Sequence, residues 1–144
     1  MVLLSEMRSS LADFKNATGF IAVIAGGTSG IGEAMVRALG KHANAAAVYV
    51  VGRNAEAADR ILSDCRDQCP SSRFEFLQQD VGLLRGVDAV CTQIQARECK
   101  VDLLFMTPDY LSFGGREGTL LLVAARILYH WVSLQPLTTT SRDA

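Results

Sequence analysis

From Phe20 to Ala25 the chain is apolar at every position, and the run passes directly into a turn with glycines at Gly26, Gly30 and Gly32. An apolar run without polar alternation predicts a strand covered on both faces, as in a parallel sheet. Residues without a Cβ let backbone N–H groups come close to a phosphate, and a helix starting near Gly30 aims its positive end at the same point. That helix is predicted from Ile31, Met35 and Leu39, which the spacing sets on one face. A glycine triplet alone describes a flexible turn equally well; the flanking strand and helix are what make pyrophosphate binding the functional reading. The spacing Gly-x-x-x-Gly-x-Gly is neither the older dinucleotide fingerprint nor a phosphate loop, since no Gly-Lys-Ser/Thr follows.

A second apolar run, residues 46–51, ends at Gly52-Arg53-Asn54, at the distance a β-α-β unit requires. The identity of a bound dinucleotide is decided at the end of this strand. A carboxylate there accepts hydrogen bonds from ribose hydroxyls and repels a 2′-phosphate. Arg53 instead offers a planar guanidinium that pairs with phosphate oxygens, and Asn54 adds a neutral donor. The position predicts NADP(H) over NAD(H), with a solvated charge after a strand as the plain alternative for Arg53.

Asn54 is also placed to cap a helix over residues 55–69, with Ile61, Leu62 and Cys65 facing inward and Pro70 as its stop. A strand at residues 73–77 alternates enough to predict a more exposed place in the sheet, and it leads to Gln79-Asp80-Val81. Asp80 falls at the carboxyl end of that strand, the edge where open α/β sheets bind ligands, and it also precedes a helix that it can N-cap. This third helix, over residues 84–99, presents Val87, Val90, Cys91 and Ile94 inward and Arg85, Asp88, Gln95 and Glu98 outward. A fourth strand covers residues 100–106.

These residues resemble the short-chain dehydrogenase/reductase family, whose glycine motif reads Thr-Gly-x-x-x-Gly-Ile-Gly; Ala25 stands in place of the threonine. The Val101-Asp102-Leu103-Leu104 lead into the fourth strand is similar as well. The resemblance implies an α/β, Rossmann-like open parallel sheet of four strands in the order 3-2-1-4, with helices on both faces. It implies a site for NADP in which Gly26, Thr28, Ser29, Gly30, Ile31 and Gly32 surround the pyrophosphate, Arg53 and Asn54 meet the 2′-phosphate and Asp80 contacts the adenine. Departures begin at the end of the fourth strand, where Met106-Thr107-Pro108-Asp109 replaces the family's Asn-Asn-Ala-Gly. Proline removes a donor there and Asp109 sets a negative charge beside the cofactor. Similar Met-Ser/Thr-Pro versions in some fungal reductases imply a relative from fungal secondary-metabolite biosynthesis.

The family reduces carbonyls with a Tyr-x-x-x-Lys pair on one helical face. Here Tyr49 is followed four places on by Arg53, Tyr110 by Gly114 and Tyr129 by Ser133, so no catalytic residue is assigned. The resemblance covers the cofactor-binding half, and the chain is expected to be truncated before the catalytic half. Two functions compete: an NADP(H)-dependent oxidoreductase acting on an unidentified small molecule, and a truncated, non-catalytic nucleotide-binding or protein-interaction pseudoenzyme.

At 144 residues the chain is expected to form a leader at residues 1–18, one NADP-binding domain at residues 19–136 and a disordered tail at residues 137–144. A formal net charge of −1 supplies no basic field for nucleic acid or an anionic membrane. The four cysteines form no Cys-x-x-Cys pair, and Cys65 and Cys69, which share a helical face, read as small buried hydrophobes rather than metal ligands, in a reducing cytoplasm. His42, at the end of the first helix, suits the negative end of its dipole. A helix over residues 120–134 carries only Arg126, His130 and Ser133 as a polar stripe, too little for a solvated surface and too short a segment to span a bilayer. It is expected to meet a second copy or a partner subunit.

Overall fold

Four parallel strands form one sheet in the order β3-β2-β1-β4, in a computed structural model that describes residues 19–107. The expected leader, the helix at residues 120–134, the tail, and Pro108, Asp109, Tyr110 and Tyr129 lie outside the described residues. In chain order the elements are β1 (Ile21–Ala25), α1 (Gly30–His42), β2 (Ala47–Gly52), α2 (Ala55–Gln68), β3 (Arg73–Gln78), α3 (Leu84–Gln95) and β4 (Leu103–Met106). The strand order and the alternation of strand and helix are those predicted.

The sheet is covered on both faces because each central strand sends alternate side chains to opposite sides. Ile21, Val23, Tyr49, Val51 and Leu77 pack with Val87, Val90, Cys91 and Ile94 of α3. Ala22, Ile24, Val48, Val50 and Phe74 pack on the other side with Val36 and Leu39 of α1 and with Ile61, Leu62 and Cys65 of α2. All five β1 residues are buried, which is why that strand reads as an unbroken apolar run. At the margin, β3 buries only Phe74 and Leu77.

Three local expectations are corrected. Ile31 does not face the core: it is 73% exposed, and the inward positions of α1 are Gly32, Val36, Leu39 and Gly40. The helix lies so close to its neighbours that glycine is required along the contact; a Cβ on Gly40 would lie 2.7 Å from Cys65 Sγ. Glycine carries no hydrophobic signal, so the sequence pattern selected the adjoining stripe.

Helix α3 stops at Gln95 rather than near Cys99, tightening through Arg97 N–H and Glu98 N–H, which both donate to Ile94 O. Glu98 therefore leaves the helical periodicity. Its carboxylate turns inward to accept the Tyr49 phenol O–H at 2.6 Å and to pair with Arg73. Tyr49 is 1% exposed, and a buried phenol needs such a partner.

The fourth strand begins at Leu103 because Asp102 opens the ladder with its side chain. Its carboxylate accepts Ile21 N–H at 2.9 Å while its own N–H donates to Ile21 O at 2.8 Å. The Ile21 amide, and then Lys100, hold the Asp102 carboxyl below the usual carboxylate range. No helix among the described residues is long and apolar enough to cross a membrane.

Candidate functional site

Parallel strands end together, so the turns after β1, β2, β3 and β4 gather along one sheet edge. After β1 the chain is pulled toward β2, where Gly26 N–H and Gly27 N–H both donate to Val51 O, at 2.9 and 3.3 Å. Gly26 and Gly30 have φ of +83° and +55°, a region open to glycine at little cost. The Thr107 backbone returns from β4 under this turn, with its N–H on Ala25 O at 2.9 Å.

Close approach fixes the other glycine. A Cβ on Gly32 would stand 2.1 Å from Gly26 O and 2.7 Å from Thr107 Oγ1. Above Gly30, by contrast, nothing among the described residues lies within 4 Å of the position a Cβ would take. The turn is thus packed tightly from beneath and open above. Ser29 is the N-cap residue of α1, with extended backbone, but its side chain does not cap the helix. The helix N-terminus offers its first N–H groups and its positive dipole end to the open side. Ile31, exposed beside them, belongs to the surface of this turn.

At the next strand end, Gly52 lies against Thr28, and a Cβ there would be 2.8 Å from Thr28 Cγ2. Thr28 accordingly works against β2, bracing one turn on another. Arg53 is exposed and forms no ion pair among the described residues, whereas Arg37, Arg73 and Arg97 all do. Asn54 caps α2: its Oδ1 accepts Ala57 N–H at 3.1 Å, which leaves the Nδ2 donors facing away from the helix.

Asp80 is exposed at the end of β3, but it is not the helix cap that its position suggested. Its Oδ1 accepts Gly82 N–H at 2.9 Å in a local turn, and the N-cap of α3 is Leu83. The displacement follows from packing, since a Cβ on Gly86 would lie 2.2 Å from Asp80 O and the first turn of α3 presses on that carbonyl. Among the described residues the second carboxylate oxygen is left for other use.

One contributor was not anticipated from the sequence. Gln78, the last residue of β3 and the register partner of Gly52, donates from Nε2 to Arg53 O at 3.2 Å. The parallel register is the signal that would have found it. At the opposite sheet edge a cavity of about 240 Å³ lies among Phe20, Ala45, Ala46, Ser71, Arg73 and Glu98. It is remote from the glycine turn.

A family profile described as short chain dehydrogenase matches residues 20–107. An oxidoreductase of Emericella nidulans is 40% identical over 119 residues, which are 83% of this chain and 36% of that protein. A short-chain dehydrogenase/reductase of Stachybotrys chartarum is 32% identical over 133 residues, 83% of this chain and 38% of the relative. The chain thus spans about a third of the length of these curated relatives. Among solved structures, L-sorbose reductase from Gluconobacter frateurii, complexed with NADPH and L-sorbose, superposes with a TM-score of 0.66 at 22% identity. It covers 84% of this chain and 49% of its own. A metagenomic short-chain oxidoreductase in complex with NADP gives a TM-score of 0.62 at 22% identity, over 81% of this chain and 55% of that one.

Proposed function

Because this chain belongs to the short-chain dehydrogenase/reductase family, we propose that it binds NADP(H) at the carboxyl edge of its sheet and serves an oxidoreductase of fungal secondary metabolism. The observation that carries the reading is a helix N-terminus that its Ser29 side chain leaves uncapped, at a glycine turn open among the described residues, with an arginine at the next strand end that has no ion-pair partner among them. A helix end whose own cap leaves it unsatisfied suits a pyrophosphate.

In this proposal Ser29, Gly30 and Ile31 bring backbone N–H groups to the pyrophosphate, while Gly26, Thr28 and Gly32 hold the turn in shape. Arg53 meets the 2′-phosphate, with the Nδ2 donors of Asn54 beside it. Asp80 contacts the adenine through the oxygen that Gly82 does not use. NADPH, when bound, supplies a hydride. The fungal oxidoreductases among the relatives support the setting, and the NADP(H) complexes among the structural neighbours support the cofactor.

A second reading is that these 144 residues bind the nucleotide without themselves carrying out hydride transfer. Both readings require the cofactor site, and titration calorimetry with NADPH and NADH tests it. Arg53→Ala removes charge-assisted phosphate bonds worth about 1.5–3 kcal/mol, so NADPH affinity is expected to fall roughly ten- to a hundredfold while NADH affinity stays. Equal loss for both cofactors would remove Arg53 from the 2′-phosphate. Turnover of NADPH by the purified chain would dismiss the second reading.

A further inference from the structure

The preference for a 2′-phosphate requires more than an arginine at the end of β2, because a flexible guanidinium on a mobile turn loses in ordering much of what it gains in pairing. The backbone around Arg53 is held from three directions. Before it, Gly52 O accepts Gln79 N–H at 3.0 Å. After it, Asn54 is committed to the helix, with its O accepting Ala58 N–H at 3.2 Å and its Oδ1 accepting Ala57 N–H at 3.1 Å.

The carbonyl of Arg53 itself is taken by Gln78 Nε2 at 3.2 Å, a bond that crosses from one strand end to the other. A carbonyl oxygen only accepts, so the Gln78 amide must present its nitrogen there. The side chain of Gln78 is exposed and packs in neither core cluster. Its one bond among the described residues fixes the peptide that follows the Arg53 side chain.

We propose that Gln78 is a positioning residue for cofactor selection: by tying the Arg53 carbonyl to the end of β3 it holds the guanidinium where a 2′-phosphate on adenosine ribose meets it. The inference rests on the reading of this edge as an NADP(H) site. Gln78 acts through Arg53 and contributes to NADPH over NADH, with no part in holding the pyrophosphate. Losing one tether of this kind is expected to change affinity by between about two- and tenfold.

The test is calorimetry of the full chain with NADPH and NADH, using Gln78→Met, Arg53→Ala and the double variant. Methionine keeps the length of the side chain and has no N–H donor. Gln78→Met is expected to weaken NADPH two- to tenfold, to leave NADH unchanged, and to have no further effect once Arg53 is alanine. Equal weakening of both cofactors would overturn the proposal in favour of a general structural role, and a full effect in the Arg53→Ala background would make Gln78 a direct contact. If Arg53→Ala lowers NADPH affinity and Gln78→Met does not, the proposal fails while the NADP(H) site stands. If the wild-type chain binds neither cofactor, both fail together.

Discussion

Alanine at Gly32 and at Gly30 should damage the protein in different ways, although both glycines belong to one turn. At Gly32 the new methyl would sit 2.1 Å from Gly26 O, where ordinary contact begins near 3.4 Å. The obstacle is a backbone carbonyl, which accepts the Thr107 hydroxyl at 3.4 Å, so it cannot swing aside as a side chain does. Helix and turn must separate by more than 1 Å, and overpacking of this kind costs about 3 kcal/mol. At Gly30 the methyl enters open space, and the cost is only that of a side chain at φ +55°, about 1–2 kcal/mol. In the proposed site, that open space is the side from which a pyrophosphate arrives. Thermal unfolding followed by circular dichroism, paired with NADPH calorimetry, separates the two effects. Gly32→Ala is expected to lower the melting temperature by roughly 12 °C or more, at about 4 °C per kcal/mol. Gly30→Ala is expected to melt about 4–8 °C below the parent and to lose NADPH affinity disproportionately. A Gly32→Ala protein within about 1 kcal/mol of the parent would refute the close-approach argument. A Gly30→Ala protein with parental NADPH affinity would refute the placement of the ligand above the turn.

Two other substitutions probe the opposite edge of the sheet. Tyr49→Phe removes a buried O–H donor to Glu98, whose carboxylate keeps Arg73; a loss of about 1–2 kcal/mol in urea unfolding is expected, with NADPH affinity unaltered. Asp102 has a folded-state pKa lowered first by the Ile21 amide and then by Lys100, so its contribution is present above the unfolded carboxylate value of about 3.9 and is lost as pH falls through the lower folded value. Asp102→Asn keeps an acceptor for Ile21 N–H but has no charge to titrate. Its stability should fall less steeply than the parent's in acid below about pH 4, measured by unfolding across that range; an unchanged slope would show that Asp102 carries none of it.

What was legible in the sequence follows from which physical signals survive in one dimension. The strands were readable because central parallel strands are buried on both sides, and Ile21 to Ala25 and Val48 to Val51 accordingly contain no charged residue. Asn54 was readable as a cap because capping is local, three residues from donor to acceptor. Ile31 was misread because the true contact face of α1 is made by glycines, whose information is the absence of volume. Glu98 was misread because helical periodicity was carried past the point where α3 ends, while the demand that turned it inward came from Tyr49, 49 residues away. Gln78 had no signal of its own; its partner is set by the Gly52–Gln78 register, which only the assembled sheet supplies.

The two edges of the sheet divide the polar groups in a way that bears on function. At the amino edge they satisfy one another: Tyr49 O–H donates to Glu98, Arg73 pairs with Glu98 and Glu75, and Arg97 pairs with Glu75. Such a set is occupied internally, and its effect is to fasten the exit of α3 to β2 and β3. At the carboxyl edge the Ser29 side chain leaves its helix uncapped, the Arg53 guanidinium has no ion pair among the described residues, and one oxygen of Asp80 is uncommitted. Yet the backbone carrying these groups is fixed by Val51 O, Gln78, Ala57 and Gly82. Unspent donors on a restrained backbone are what a binding site requires, because the entropy of ordering them has been met by folding. Substitutions that loosen the restraint while sparing the donors, Gln78→Met first among them, therefore separate a preorganised site from a chance gathering of exposed polar residues.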